Sequence, residues 1–193
     1  MPWEKQFDVD DALEQAMQAF WGTGFEATST QNLLDRMGIN RGSLYDTFGN
    51  KNALFRRALE RYLETRQGRR IAEAGRQTSA REAILSIFAG LAVDVVERGN
   101  HNGCFLVNTA LERAPHDANI AEIVTGGFSE MEQFLHATIA RGQETGEIPA
   151  HVDVETTARA LLTMILGLRV LSRSGDHAEV FAAVAETATD MLS

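Results

Sequence analysis

Apolar residues recur three and four positions apart through most of the chain, broken by short polar stretches that end or begin with Asp, Asn, Ser, Thr or Gly. That spacing predicts a succession of amphipathic helices. Leu13, Met17, Phe20 and Trp21 form the first stripe, with Asp8 in the capping position and Gly22 and Gly24 behind it. A short second helix carries Leu33, Leu34 and Met37, capped by Thr28 or Ser29 and stopped by Gly38. A third begins near Arg41 and carries Leu44 and Phe48, and Asn50 opens a longer one with Leu54, Phe55, Ala58, Leu59, Tyr62 and Leu63 on one face. Further on, Ser79 and Glu82 form a capping box ahead of Ile84, Ile87, Phe88, Leu91 and Val95. Asn102 is placed to cap a shorter helix through Phe105, Leu106 and Leu111. Asp117 starts a long helix with Ile120, Val124, Phe128, Met131, Leu135 and Ile139, closed near Gly146. Asp153 caps an eighth helix, and Asp176 with Glu179 forms a box for a ninth. No segment alternates with the period of a strand. The predicted fold is all-α with about nine helices: a three-helix head over residues 1–50 and a larger helical body over 51–193.

Charge changes this picture. The net charge is −9, yet residues 1–70 carry ten Lys/Arg against ten Asp/Glu, so the whole excess lies on residues 71–193. Any contact with nucleic acid must therefore be confined to one region, because phosphates are held by local cations. No run reaches 18 apolar residues, the start lacks a basic segment followed by an apolar one, and the single cysteine has no partner for an internal disulfide. These features predict a cytoplasmic protein without a membrane span.

The head holds "GINRGSLYDTFGNK", residues 38–51, where two short helices meet at a tight glycine turn. This is the helix-turn-helix pattern. Leu33, Leu34, Met37, Ile39, Leu44 and Phe48 are placed to lock the pair over Phe20 and Phe25, leaving Asn40, Arg41, Gly42, Ser43, Tyr45 and Thr47 toward solvent. The N-terminal end of such a second helix enters a major groove and reads base edges. A plain helical hairpin with a solvated tip has the same pattern.

The wider stretch "GFEATSTQNLLDRMGINRGSLYDTFGNKNALF", residues 24–55, resembles the N-terminal domain of the tetracycline-repressor (TetR/AcrR) family of bacterial transcriptional regulators. Gly24-Phe25, the Thr28-Ser29 cap, Gly38-Ile39, "GSLYDTF" and Gly49-Asn50-Lys51 carry the resemblance. It implies that Thr28, Gln31 and Tyr45 contact phosphates of a double-stranded DNA operator. Asn40, Arg41, Gly42 and Ser43 would then face bases or adjoining phosphates, and Lys51 would grip a phosphate at a helix N-terminus. Asp46 and Thr47 depart from many relatives, which implies a different base preference. Lys5 is a weak candidate for a further contact in place of a basic arm. Arg56, Arg57 and Arg61 read as solvated residues pairing with Glu60 and Glu64, and Arg69 and Arg70 as solvated or steering.

One head reads few base pairs, so a two-fold homodimer is expected. "TTARALLTMILGLRVL", residues 156–171, is apolar on nearly every side, with Ala158 and Gly167 permitting close approach, and the last helix adds Val180, Phe181, Val184, Ala188 and Met191. The helices of Asp153–Ser174 and Asp176–Ser193 are thus the expected dimer elements; full burial within the chain is the alternative for 156–171. The resemblance further implies a small-molecule effector pocket, with Phe88, Leu91, Cys104, Phe105, Asn108, Leu111, Phe128, Met131, Phe134, Met164 and Leu168 as its candidate lining; each alone also reads as ordinary core. Cys104, expected in the first turn behind Asn102, is either a reactive thiol that senses electrophiles or a small buried hydrophobe. No cofactor, metal site or catalytic residue is expected, because His101, His116, His136, His151 and His177 show no ligand spacing and no phosphate-binding glycine loop or nucleophile elbow is present. The function expected is a ligand-responsive, DNA-binding repressor, the alternative being a dimeric adaptor with a decayed head.

Overall fold

A computed structural model describes residues 7–175 and 177–193. Lys5 and the Asp176 cap lie outside the described residues. Nine helices are found among them, and no strand. In chain order they are α1 (Val9–Thr23), α2 (Thr30–Met37), α3 (Arg41–Phe48) and α4, which runs from Lys51–Tyr62 through a π-helical stretch, Leu63–Gly68, into Arg69–Gly75. Then follow α5 (Ala80–Ala92, with a π-helical end Val93–Glu97), α6 (Phe105–Glu112), α7 (Ala118–Glu144), α8 (Val154–Leu171) and α9 (Ala178–Asp190). No described helix is long and apolar enough to cross a membrane.

Side-chain oxygens start most of these helices by satisfying amides that have no partner within the helix. Asp8 accepts from Asp10 and Asp11, Ser29 from Asn32, Asn40 from Ser43, Asn50 from Ala53, Asp117 from Asn119 and Ile120, and Asp153 from Thr156. Ser29, not Thr28, caps α2. α6 starts later than expected: Cys104 occupies its N-cap with no side-chain cap bond, and Asn102 lies outside the helix. At α5, Ser79 accepts from the Glu82 amide, while the remaining amides of Ala80 and Arg81 are taken by the carboxylate of Glu147, which also accepts from the Ser79 hydroxyl.

The interior forms two apolar clusters. The first joins α1–α4 to Phe105, Leu106 and Val107 of α6 and Ile120 and Val124 of α7; the second fills the body between α5, α7, α8 and α9. The head is therefore seated on the end of the body through shared core, with Phe55 meeting Phe20, Phe25 and Phe105 edge to face at 4.9, 5.0 and 5.5 Å. α1 is bound to α4 by Glu14, which receives Arg61 at 3.0 Å and Arg66 at 2.5 Å. Burial alone would raise the Glu14 pKa, but the bonds from Gln18 and Arg61 and the charges of Arg66 and Arg61 outweigh it and hold the carboxyl below its ordinary range. Arg61 thus bridges two helices instead of pairing with Glu64. Arg57 lies 4.8 Å over the Phe48 ring and donates to the Thr47 carbonyl, tying α4 to the end of α3.

Candidate nucleic-acid interface and the cavity behind it

The hairpin is built from a short list of cooperating residues. Gly38 ends α2 at φ 64° and ψ 30°, the left-handed conformation that costs a residue with a Cβ energy. The chain then re-enters a helix at the Asn40 cap. Leu33, Leu34, Met37, Leu44 and Phe48 are buried in the head core with Phe20 and Phe25, and Ile39 packs against them half-buried. With one face committed, α3 turns Arg41, Gly42, Tyr45 and Asp46 to solvent, and Tyr45 keeps 47% of its surface exposed. An exposed guanidinium, a phenol and a glycine that admits close backbone approach lie on one turn and a half of helix.

Not all the expected contacts share that freedom. Thr28 is 1% exposed, and its hydroxyl donates to the Gly24 carbonyl at 2.5 Å and meets the Thr23 hydroxyl at 2.7 Å. It braces the turn into α2 and presents no donor outward. Asn40 spends its side-chain oxygen on the Ser43 amide, at 2.8 Å, so only its side-chain NH2 group remains. Gln31 is exposed but donates to Asp35, one turn on. Ser43 is half-buried. Lys51 is half-buried with Nζ 4.2 Å from the centroid of the Phe25 ring. Desolvation there lowers its pKa and Glu26 opposes the shift, with Arg113 adding to it.

Arg113 lies 4.1 Å from the centroid of the same ring, and it belongs to the body. This marks a joint that the periodicity gave no sign of. Glu112, the last residue of α6, accepts from the backbone amides of Phe25 (3.0 Å) and Glu26 (2.9 Å), while Arg113 pairs with the Glu26 carboxylate at 3.1 Å. The fit is close: a Cβ on Gly24, at φ +87°, would lie 2.9 Å from a Glu112 oxygen. The pair Glu112-Arg113 thus holds the loop that positions α2. Helical spacing alone, which puts Glu112 on one face with Asn108, does not mark this joint.

Behind the head, between α1, α4, α5, α7 and α8, lies a cavity of about 710 Å3. Four of the expected lining residues face it: Leu91, Cys104, Phe128 and Met131. The others do not. Phe88, Phe105 and Leu168 are consumed by the core, Phe134 and Met164 pack against the body cluster, and the Asn108 side chain donates to the Asn102 carbonyl. Leu111 points outward and is 74% exposed, because a helix as short as α6 buries only the face turned to α4 and α7. Among the lining residues not anticipated are Gln18 and Trp21 of α1, Tyr62 and several arginines of α4, and Arg169 of α8. Arg70, expected to be solvated or steering, lines the wall and is paired to Asp94 at 2.6 Å. The Cys104 thiol is buried and faces the Tyr62 hydroxyl at 3.5 Å. Burial pushes the Tyr62 phenol far above its ordinary range, and the neighbouring Cys104 adds to the shift.

α8 and α9 divide differently from their apolar composition. Ala158, Leu161, Ile165 and Leu168 face the body core, while Thr156, Arg159, Thr163, Gly167 and Val170 form an outward stripe. Phe181 and Ala188 of α9 are likewise internal, so neither they nor Ala158 are free for another chain, whereas Val180 remains exposed.

Comparison with known proteins places these features in a family. Residues 12–58 match the family described as bacterial regulatory proteins, tetR family, and residues 80–188 match the tetracyclin repressor-like C-terminal domain. The HTH-type transcriptional repressor ComR of Escherichia coli (strain K12) is 33% identical over 184 residues, spanning 95% of this chain and 88% of its own. The uncharacterized HTH-type transcriptional regulator YezE of Bacillus subtilis (strain 168) is 31% identical over 188 residues, 93% and 97% of the two chains. Among solved structures, a cysteine-substituted TetR family regulator, CifR, complexed with 26-base-pair operator DNA superposes with a TM-score of 0.88 at 29% identity, covering 98% of this chain and 99% of the other.

Proposed function

Since the chain belongs to the tetR family of bacterial regulatory proteins and is a DNA-binding transcriptional regulator, we propose that it acts as a homodimeric repressor released from a near-palindromic operator by a small-molecule effector. The observation that carries this reading is the hairpin surface: Arg41, Gly42 and Tyr45 stand exposed on a short helix whose opposite face is locked into the head core. Arg41 and the side-chain NH2 group of Asn40 would read base edges, and Tyr45 would hold a phosphate. Lys51, close by on α4, would exchange its place over Phe25 for a phosphate oxygen. Residues 1–50 would serve as the reading head and 51–193 as the effector-binding and dimerisation body, in a cytoplasmic protein.

The outward stripe of α8, with its small residues and Val170, and the exposed Val180 side of α9 would meet their two-fold copies. Such a dimer sets two α3 helices into successive major grooves, about 34–36 Å apart. The effector would occupy the cavity behind the head. It shifts the equilibrium only in so far as it binds one head spacing better than the other. Because α4 runs unbroken from the Lys51 end to the cavity wall, and α6 holds the Phe25-Glu26 loop through Glu112, both are routes by which a changed wall moves the head.

Selection of binding sites from a random duplex library tests this reading. The expected product is a motif of two inverted half-sites one helical turn apart. Enrichment of no motif would overturn it and favour the dimeric adaptor, whose head carries the fold without the reading.

A further inference from the structure

We infer that the cavity is built for an organic anion, a carboxylate carried on an apolar body, with Arg169 as its charge partner and Trp21 as a second, neutral hydrogen-bond donor. The inference rests on the regulator reading only for what occupancy does; the chemistry of the site stands on its own residues.

Five arginines line the cavity, Arg66, Arg69, Arg70, Arg98 and Arg169, against two carboxylates, Glu73 and Asp94. Four of the five are already ion-paired. Arg66 is paired with Glu14, Arg69 with Glu73, and Arg70 and Arg98 share Asp94. Arg169, half-buried on α8, makes no ion pair or side-chain hydrogen bond with any described residue. A guanidinium on a partly desolvated wall without a counter-ion favours an anion that supplies two oxygens in its plane.

The second observation is independent of charge. Trp21 is 7% exposed and lines the same cavity, and its Nε1–H is buried with no hydrogen-bond partner. An orphaned buried donor costs free energy until an acceptor reaches it. Trp21, Tyr62 and Arg169 all line this one cavity, and the Trp21 ring lies edge-on to Tyr62 at 5.1 Å. The remaining wall includes Leu91, Met131, Leu162 and Ile165, which suit an apolar tail. A volume of about 710 Å3 falls in the usual range for small-molecule sites.

Trp21 also belongs to α1, in the head, whereas Arg169 belongs to the body. Its Nε1 is sealed in the conformation described, so a ligand acceptor reaches it only as the wall rearranges around α1. The occupied and empty states then differ at the head itself, as a differential affinity requires.

The test uses the full-length protein and two probes of one shape, 4-phenylbutyrate and its neutral amide, with octanoate and inorganic phosphate alongside, titrated by isothermal calorimetry. The acid is expected to bind at least tenfold more tightly than the amide. Arg169→Gln removes that preference, lowering acid affinity roughly ten- to a hundredfold, the range for a hydrogen bond to a charged group, and leaves the amide unchanged. Trp21→Phe, which keeps the ring's bulk, weakens acid and amide alike. Equal affinities for acid and amide, an acid preference that survives Arg169→Gln, phosphate binding as tightly as the acids, or no binding by either acid overturns the inference. Operator binding is measured on the same preparations. A protein that binds its operator but prefers no acid has lost this inference alone, and one that prefers the acid but binds no operator has lost the regulator reading alone.

Discussion

Replacing Glu112 by alanine removes two hydrogen bonds that tie the body to the head, those from the amides of Phe25 at 3.0 Å and Glu26 at 2.9 Å. Hydrogen bonds to a charged group contribute about 1.5–3 kcal/mol each, and the exposed one to Glu26 is discounted for solvent screening, so the loss should be near 2 kcal/mol. In a domain of this size that lowers the melting temperature by about 4–8 °C. Glu112→Gln keeps one acceptor oxygen and should lose about half as much. Gly24→Ala supplies a check on the mechanism, because its Cβ would lie 2.9 Å from a Glu112 oxygen and its φ of +87° disfavours any side chain. Part of its cost is therefore the same broken joint. Urea unfolding of the single and double variants measures this directly: the double variant should cost about 1 kcal/mol less than the two singles added. Strict additivity, or an alanine variant within about 0.5 kcal/mol of the parent, would refute the claim that Glu112 secures the head.

Other consequences follow from the same contacts. Leu44 is fully buried beneath α3, so Leu44→Ala should destabilise the protein by about 3 kcal/mol in urea unfolding and weaken operator binding in anisotropy. Gly38→Ala, at φ 64°, should cost about 1 kcal/mol in urea unfolding despite the open space around it. The carboxyls of Glu14 and Glu147 are held below their ordinary value of 4.5 by bonds and charges that outweigh burial. Lowered folded values mean that the stability they contribute is complete above that pH and lost as the pH falls through the folded values. Melting scans between pH 7 and 3.5 should therefore fall at the acid end, less steeply for Glu147→Gln; equal slopes for the two proteins would contradict this.

The local grammar of the chain was readable because it is local. Asp8, Ser29, Asn40, Asn50, Asp117 and Asp153 cap amides two or three residues ahead, and nothing distant competes for them. The helix-turn-helix was legible for the same reason. What failed depends on partners far along the chain. Glu112 finds amides 86 and 87 residues away, and Glu147 reaches back to cap α5 from 66 and 67 residues on. Arg61 finds Glu14 across α1 instead of Glu64 on its own helix. Periodicity tells which stripe of a helix is apolar but not which part of that stripe faces a void. Leu91 and Met131 therefore line the cavity, Phe88 and Leu168 fill the core, and Leu111 is left outside. The π-helical stretch Leu63–Gly68 has no sequence signal that distinguishes it from the helix on either side, yet Thr65, Arg66 and Gln67 within it line the cavity.

The central claim is that the head reads DNA through the exposed side of α3 while the body stays clear of it. Fluorescence anisotropy on DNA flanking its own gene, against a shuffled duplex at matched salt, tests this most directly when the parent is run beside Arg41→Ala. The parent should bind the flanking duplex at least a thousandfold more tightly than the shuffled one, and Arg41→Ala should lose about 1–3 kcal/mol of that discrimination. Equal, weak binding of both duplexes by the parent, or full discrimination by the Arg41→Ala protein, would contradict the account.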